Sequence, residues 1–235
     1  GGTIHVTTTG NGAEGIESKS VLTVNDGTIV VYAYDDCLNS SSHMYLKGGD
    51  ITVVSSGNDG LDSNGNMYIS GGTIKAFGTV APECGIDANE EENYSVIFTG
   101  GTLLAVGGGN SVPSTSESTQ PYVSGNMTVT ADSEITLKNG DTVLATFTVP
   151  SNFSASKNNG SFGGRAGAGP GGNGGPGGNG GLGGNGGPGG SSSGSSSVLV
   201  TCAGLTSGSS YTLTSGSSSS SVTAALKGSG NGGRP

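Results

Sequence analysis

The sequence predicts an all-β fold: a parallel β-helix of about five coils, a C-terminal antiparallel strand cap, and a glycine-rich, polyproline-II-like insert. Three observations predict it. Gly-Thr/Asp-Ile/Leu triplets begin at Gly2, Gly27, Gly49, Gly72 and Gly101, spaced 25, 22, 23 and 29 residues apart. Each triplet opens a run that alternates with period two (TIHVT, TIVVYAY, DITVV, TIKAF, TLLAV), the signature of a strand. The 235 residues are only 31% hydrophobic and include 49 glycines and no Trp. That composition is thin for a compact α/β domain but sufficient for a solenoid whose coils need about six core residues each.

The repeat justifies the strands in order. After each triplet strand comes a Gly/acid corner and a short GIES-like segment, then a second alternating run: VLTV, HMYL, NMYI, SVIF. Three short strands and no helix within one repeat make one coil. Leucine-rich repeats share the period, but their Leu and Asn pattern is missing. Stacking puts equivalent residues in columns. Ile4/Ile29/Ile51/Ile74/Leu103 and Val6/Val31/Val53/Ala76/Ala105 point inward from one wall, and Ile16/Leu38/Leu61/Ile86 from another. Leu22/Met44/Met67/Val96 and Val24/Leu46/Ile69/Phe98 line the third wall. Every column is apolar, as a shared core requires.

Two polar columns flank the corner. One holds Glu14, Asp36 and Asp59; the other holds Glu17, Asn39, Asp62 and Asp87. Adjacent coils lie roughly 4.8 Å apart, so stacked carboxylates repel unless neutralised. Calcium takes oxygen ligands at roughly 2.3–2.6 Å and fits between two such carboxylates, with Asp35, Asn58 and backbone carbonyls completing its shell. EF-hand order is missing, so such a site would be built between coils. Asp and Asn also favour turns for their own sake. Turn chemistry explains single acids but not two aligned columns, and the two readings stand side by side.

Outward positions form a Thr23/Tyr45/Tyr68/Ile97 column and a Thr7/Tyr32/Val54/Phe77/Val106 column. Tyr faces suit stacking on sugar rings, which makes Tyr45, Tyr68 and Tyr32 candidate carbohydrate contacts. For the Phe77 column, cover by a later segment of the chain is expected instead.

The pattern changes after residue 123. ITLKNGDTVLATFTVP carries the hairpin signal Asn139-Gly140 between alternating runs. VLVTCAGLTSGSSYTL supplies two more strands. Coils are expected over 1–123, the β cap over 124–154 and 195–226, an insert over 155–194 and a tail over 227–235. Within the insert, Pro170, Asn173, Pro176, Asn179, Leu182, Asn185 and Pro188 head seven X-Gly-Gly triplets. These fit either a flexible linker or polyproline II strands packed through glycine faces.

Net charge is −9 with eight basic residues, so there is no basic patch for nucleic acid. No apolar run is long enough to span a membrane. Cys37, Cys84 and Cys202 lack metal spacing and read as small buried thiols. No signal-peptide pattern is read in this sequence, and the opening Gly1-Gly2-Thr3-Ile4 is expected to be a processed or trimmed start. An extracellular setting is therefore inferred from composition.

The chain resembles the bacterial carbohydrate-binding domain-containing β-helix proteins, secreted or surface-attached proteins of clostridia and relatives. The resemblance rests on NDGLDSNGNMYISGGTIKAFG, on GAEGIESKSVLTVNDGTIVV and on the late GDTVLATFTV and SSVLVTCAGLTSGSSYTL runs. It implies a right-handed helix related in shape to pectate lyases, bound calcium, and binding of plant polysaccharides such as cellulose or polygalacturonate. Asp59, Asp62 and Asp87 match the family's acidic corners. Cys37 departs from the expected Gly, and Cys84 takes an acid position.

Three functions are weighed: a calcium-stabilised, non-catalytic polysaccharide binder; a filament subunit stacked on other copies through open helix ends; and a calcium-dependent polysaccharide lyase. The lyase needs a base beside the metal. Lys19, Lys47 and Lys75 are the basic residues of the coils, and none falls in the acidic columns. An ice-binding face is disfavoured because the outward columns lack a regular Thr array.

Overall fold

In the computed structural model, residues 1–155 and 195–228 are described. The X-Gly-Gly triplets and most of the expected tail lie outside them. The coils contribute β1 (Thr3–Thr7), β2 (Ile16–Ser18), β3 (Leu22–Val24), β4 (Thr28–Ala33), β5 (Leu38–Ser40), β6 (Met44–Leu46), β7 (Asp50–Ser55), β8 (Leu61–Ser63), β9 (Met67–Phe77), β10 (Ile86–Asp87) and β11 (Val96–Gly107). The remainder contributes β12 (Tyr122–Met127), β13 (Glu134–Asn139), β14 (Thr142–Thr148), β15 (Ser196–Thr201), β16 (Ser210–Ser215) and β17 (Ser218–Thr223). The helical content of the described residues is a single 3-10 turn, Glu90–Glu92.

Parallel pairing stacks the coils in the register that the columns require. Ile4, Ile29, Ile51, Ile74 and Leu103 are successive Cα partners. So are Ile16, Leu38, Leu61 and Ile86, and so are Leu22, Met44, Met67 and Val96. The inner columns form one apolar core in which Ile51, Leu61, Met67 and Ile74 are fully buried, whereas Ile4, expected to point inward, is 49% exposed in the first strand. The expectation of about five coils is adjusted. One wall has five parallel strands, but the other two have four, giving four complete turns.

The turn at each triplet explains its glycine. Gly2, Gly27, Gly49, Gly72 and Gly101 all have positive φ, from 80° to 121°. Only glycine enters that region without strain. A Cβ on Gly49 would also lie 2.6 Å from the carbonyl oxygen of Gly27 in the coil before it.

The antiparallel part divides in two, which the sequence did not separate. β15 pairs with β11 and β12 pairs with β15, so these two strands extend a wall of the β-helix. β14, β13, β16 and β17 form a separate antiparallel sheet. That sheet buries the outward column: Val54, Phe77 and Val106 are at most 4% exposed in a second core with Ile135, Phe147 and Leu213. Cys37, Cys84 and Cys202 are buried thiols that form no disulfide among the described residues.

Past β11 the end of the coils is closed by hydrogen bonds. Asn110 accepts the N–H groups of Gly85 and Ile86, Ser111 donates its N–H to the Ile86 carbonyl, and Ser118 accepts the N–H of Phe98. These satisfy backbone groups that the next coil would otherwise have paired.

Candidate functional site

The acidic corner follows from coil stacking. The Asp36 carboxylate accepts the backbone N–H of Asp59 at 3.0 Å, and the Asp59 carboxylate accepts the N–H of Cys84. Each side chain thus fastens the start of the following coil. Both aspartates are 5% exposed. Burial pushes Asp36 up to about 6, against the N–H of Asp59, with Asp35 adding repulsion. Burial pushes Asp59 further, to about 8, and the surrounding charges Asp36, Asp87 and Asp62 all act in the same direction.

The neighbouring column decides what each level of the corner can do. Glu17, Asn39, Asp62 and Asp87 stand in register. The Asn39 amide donates to Glu14 at 3.2 Å and to Asp36 at 3.1 Å, tying two acids together without a cation. One coil on, Asp62 occupies the same place and, when ionised, can only accept. There Asp59, Asp62 and Asp87 bring carboxylate oxygens within 4.8 Å of one another.

The eight expected metal ligands therefore separate. Asp59, Asp62 and Asp87 converge. Glu14 and Asp36 meet across Asn39 instead. Burial raises Glu14 to about 7, helped by repulsion from Asp36, and its Oε2 is buried without a hydrogen bond. Asp35 accepts from the Asn58 amide at 2.6 Å on the adjoining corner. Glu17 pairs with exposed Lys19.

The aromatic candidates lie on two walls. Tyr45 and Tyr68 are half-buried and stacked face to face, with centroids 4.8 Å apart and planes 4° apart. His43 meets both edge-on and also contacts Tyr94 at 5.9 Å, while the Lys47 ammonium lies 5.6 Å from the Tyr45 centroid. Tyr32 is elsewhere, at the margin of the second core, with its ring against His5.

Sequence reasoning passed over Asn110, His43 and Tyr94, and placed Asn39 in the polar column without giving it a role. Asn39 was visible as the one amide in an otherwise acidic column. Asn110 was harder to find, because its role begins where the repeat stops. His43 directly precedes the Met44 column, and its Nδ1 accepts the N–H of Asn66 at 2.9 Å, another coil-to-coil fastening. Tyr94 follows the irregular Glu90–Glu92 turn, where column alignment gives no guide.

Neither curated proteins nor solved structures give a match to this chain. A family model described as "Carbohydrate-binding domain-containing protein" matches residues 1–167, which takes in every coil, the acidic corner and the tyrosine wall. The chain belongs to this carbohydrate-binding domain-containing family.

Proposed function

We propose that this is a non-catalytic, extracellular bacterial protein that binds a plant-type or cell-surface polysaccharide through a β-helix stabilised by calcium. Family membership supports carbohydrate binding. The observation that carries the calcium reading is the convergence of Asp59, Asp62 and Asp87 within 4.8 Å, one of them deeply buried. The donors are all hard oxygens, as calcium prefers. The charge is also not needed for fastening the coils, because Asn110 does the same work as a neutral amide. Asp59, Asp62 and Asp87 would hold the ion. Bound calcium would supply the positive charge that lets three neighbouring carboxylates stay ionised.

Lys19 and Lys75 are paired with Glu17 and Asp50, and Lys47 lies beside Tyr45, so no observation favours a lyase base at the aspartate cluster. A filament through stacked coil ends draws no support from the end past β11, which β15, β12 and residues 110–118 cover. No described helix is long and apolar enough to cross a membrane.

The test is retention of the protein on a panel of insoluble and immobilised polysaccharides, with calcium and with chelator. Retention on at least one glycan, together with a melting temperature raised by calcium, is expected. Failure to bind every glycan would overturn the binding reading. A melting temperature indifferent to calcium would overturn the metal reading.

A further inference from the structure

We propose that the glycan contact is the half-exposed cluster around His43, and that it reads sugars by their hydroxyl edges, not by ring stacking. The inference rests on the polysaccharide-binding reading above and says where and how that binding occurs. An exposed aromatic ladder ordinarily offers ring faces to sugars. Here the two rings already use a face on each other. Tyr45 and Tyr68 cover one face of each other at 4.8 Å and 4°. The Lys47 ammonium also lies over the Tyr45 ring, 5.6 Å from its centroid. Beyond Tyr68 the column continues to Ile97, its partner in the next coil, which is 2% exposed.

What remains outward is a polar rim. The Tyr68 hydroxyl is held at 3.0 Å by the Asn66 amide, whose own oxygen accepts the N–H of Ser95 at 2.9 Å, so its position is fixed by the backbone of the next coil. His43 is oriented in the same way. Its Nδ1 is taken by the N–H of Asn66, which leaves Nε2 as the N–H donor in the neutral ring. Tyr45, Tyr68 and Tyr94 surround that ring on edge, and none of the four is fully buried. Fixed donors and acceptors on an apolar support are what orient a polyhydroxylated ligand. A rim of this kind suits single, hydrated glycan chains, whose hydroxyls point outward all round. It does not suit the flat apolar face of a crystalline polymer, which needs open ring faces.

The test separates edge from face with substitutions that keep the rings. Tyr45→Phe with Tyr94→Phe preserves the aromatic packing and removes two hydroxyls. Binding is measured by titration against soluble carboxymethylcellulose and soluble polygalacturonate, and by depletion onto microcrystalline cellulose. The wild type is expected to favour a soluble chain. The double variant is expected to lose at least about tenfold in affinity for it, the value of roughly one hydrogen bond, with its melting curve and calcium response unchanged. Full affinity in the double variant, or a wild type that binds only the crystalline polymer, would overturn edge recognition while leaving polysaccharide binding intact. A wild type that binds none of the probes would overturn both.

Discussion

The Asp36 carboxylate accepts the backbone N–H of Asp59 at 3.0 Å, so a side chain of one coil pins the backbone of the next. Asp59 repeats the contact on Cys84, and Asn110 ends the series by accepting from both Gly85 and Ile86. Fastening needs only an acceptor, which an amide supplies. A carboxylate adds charge, and in a nearly buried position that charge is unfavourable unless something offsets it.

The first prediction isolates that charge. Asp59→Asn keeps an oxygen able to accept from Cys84 and removes the ionisable group. In chelator at pH 8 the variant should melt at or above the wild type. With millimolar calcium the wild type should gain several degrees and the variant should not. Differential scanning calorimetry in the two buffers checks this, and equal calcium shifts in both proteins would assign Asp59 to the scaffold alone.

The second concerns pH. Burial raises Asp59 from the ordinary carboxylate value of 3.8 to about 8. Between these values the unfolded chain has lost its proton and the folded protein keeps it, so the unfolded state binds fewer protons and stability falls as pH rises. Asp36, raised to about 6, acts in the same direction over the lower part of that window. Without divalent cations, denaturant midpoints should therefore decline from about pH 5 to pH 8. Calcium competes with the proton for the ionised carboxylates, so its stabilisation should grow over the same range. A flat profile in chelator would contradict the burial that drives both shifts.

The third tests the division of labour between Asn39 and Asp62. Asn39→Asp removes the donors to Glu14 and Asp36 and adds a further carboxylate to that level. Two lost hydrogen bonds, with Asp36 left buried and Glu14 half-buried, should cost about 1–3 kcal/mol in chelator. Calcium should restore part of this loss, since the altered corner then resembles the one at Asp62. Urea titrations with and without calcium measure both effects.

The coils were legible because a solenoid repeats its answer. Ile4, Ile29, Ile51, Ile74 and Leu103 sit at fixed offsets from a glycine, and the parallel register follows. Cover for the Phe77 column was legible too, since large apolar residues there need burial. The sequence could not show that β15 pairs with β11 across a long separation, because nothing local distinguishes an added wall strand from a cap strand. At the site, the columns aligned eight candidate ligands, of which the fold brings Asp59, Asp62 and Asp87 together. Whether two carboxylates converge depends on what lies between them, and there a single amide at Asn39 changes the outcome. The tyrosine column made Tyr45 and Tyr68 neighbours, but a period-two pattern does not reveal that their rings stack on each other.

A fourth prediction compares two glycines. Gly49→Ala places a Cβ 2.6 Å from the Gly27 oxygen at φ +93°, whereas Gly140→Ala, in the β13–β14 hairpin at φ +56°, meets nothing within 4 Å. The hairpin change should cost about 1–2 kcal/mol, the left-handed penalty alone. Gly49→Ala should cost more, because the stacked backbone of the preceding coil must also move. Equal losses in urea denaturation would mean that the coil-to-coil approach is looser than the stacking implies.

The last concerns the junction between the coils and the antiparallel sheet. Phe77 is fully buried and its ring lies 5.2 Å from that of Phe153. It faces outward from the β-helix, so its burial depends on the docked sheet and not on the inner core. Phe77→Ala should remove about 3–5 kcal/mol through lost transfer energy and the cavity left behind. The loss should fall mainly on the junction, because the inner columns from Ile29 to Leu103 are untouched. Hydrogen exchange should show amides of β13, β14 and β16 losing protection well before those of β7 and β8. Uniform loss across both sheets would show instead that the two cores melt as one unit.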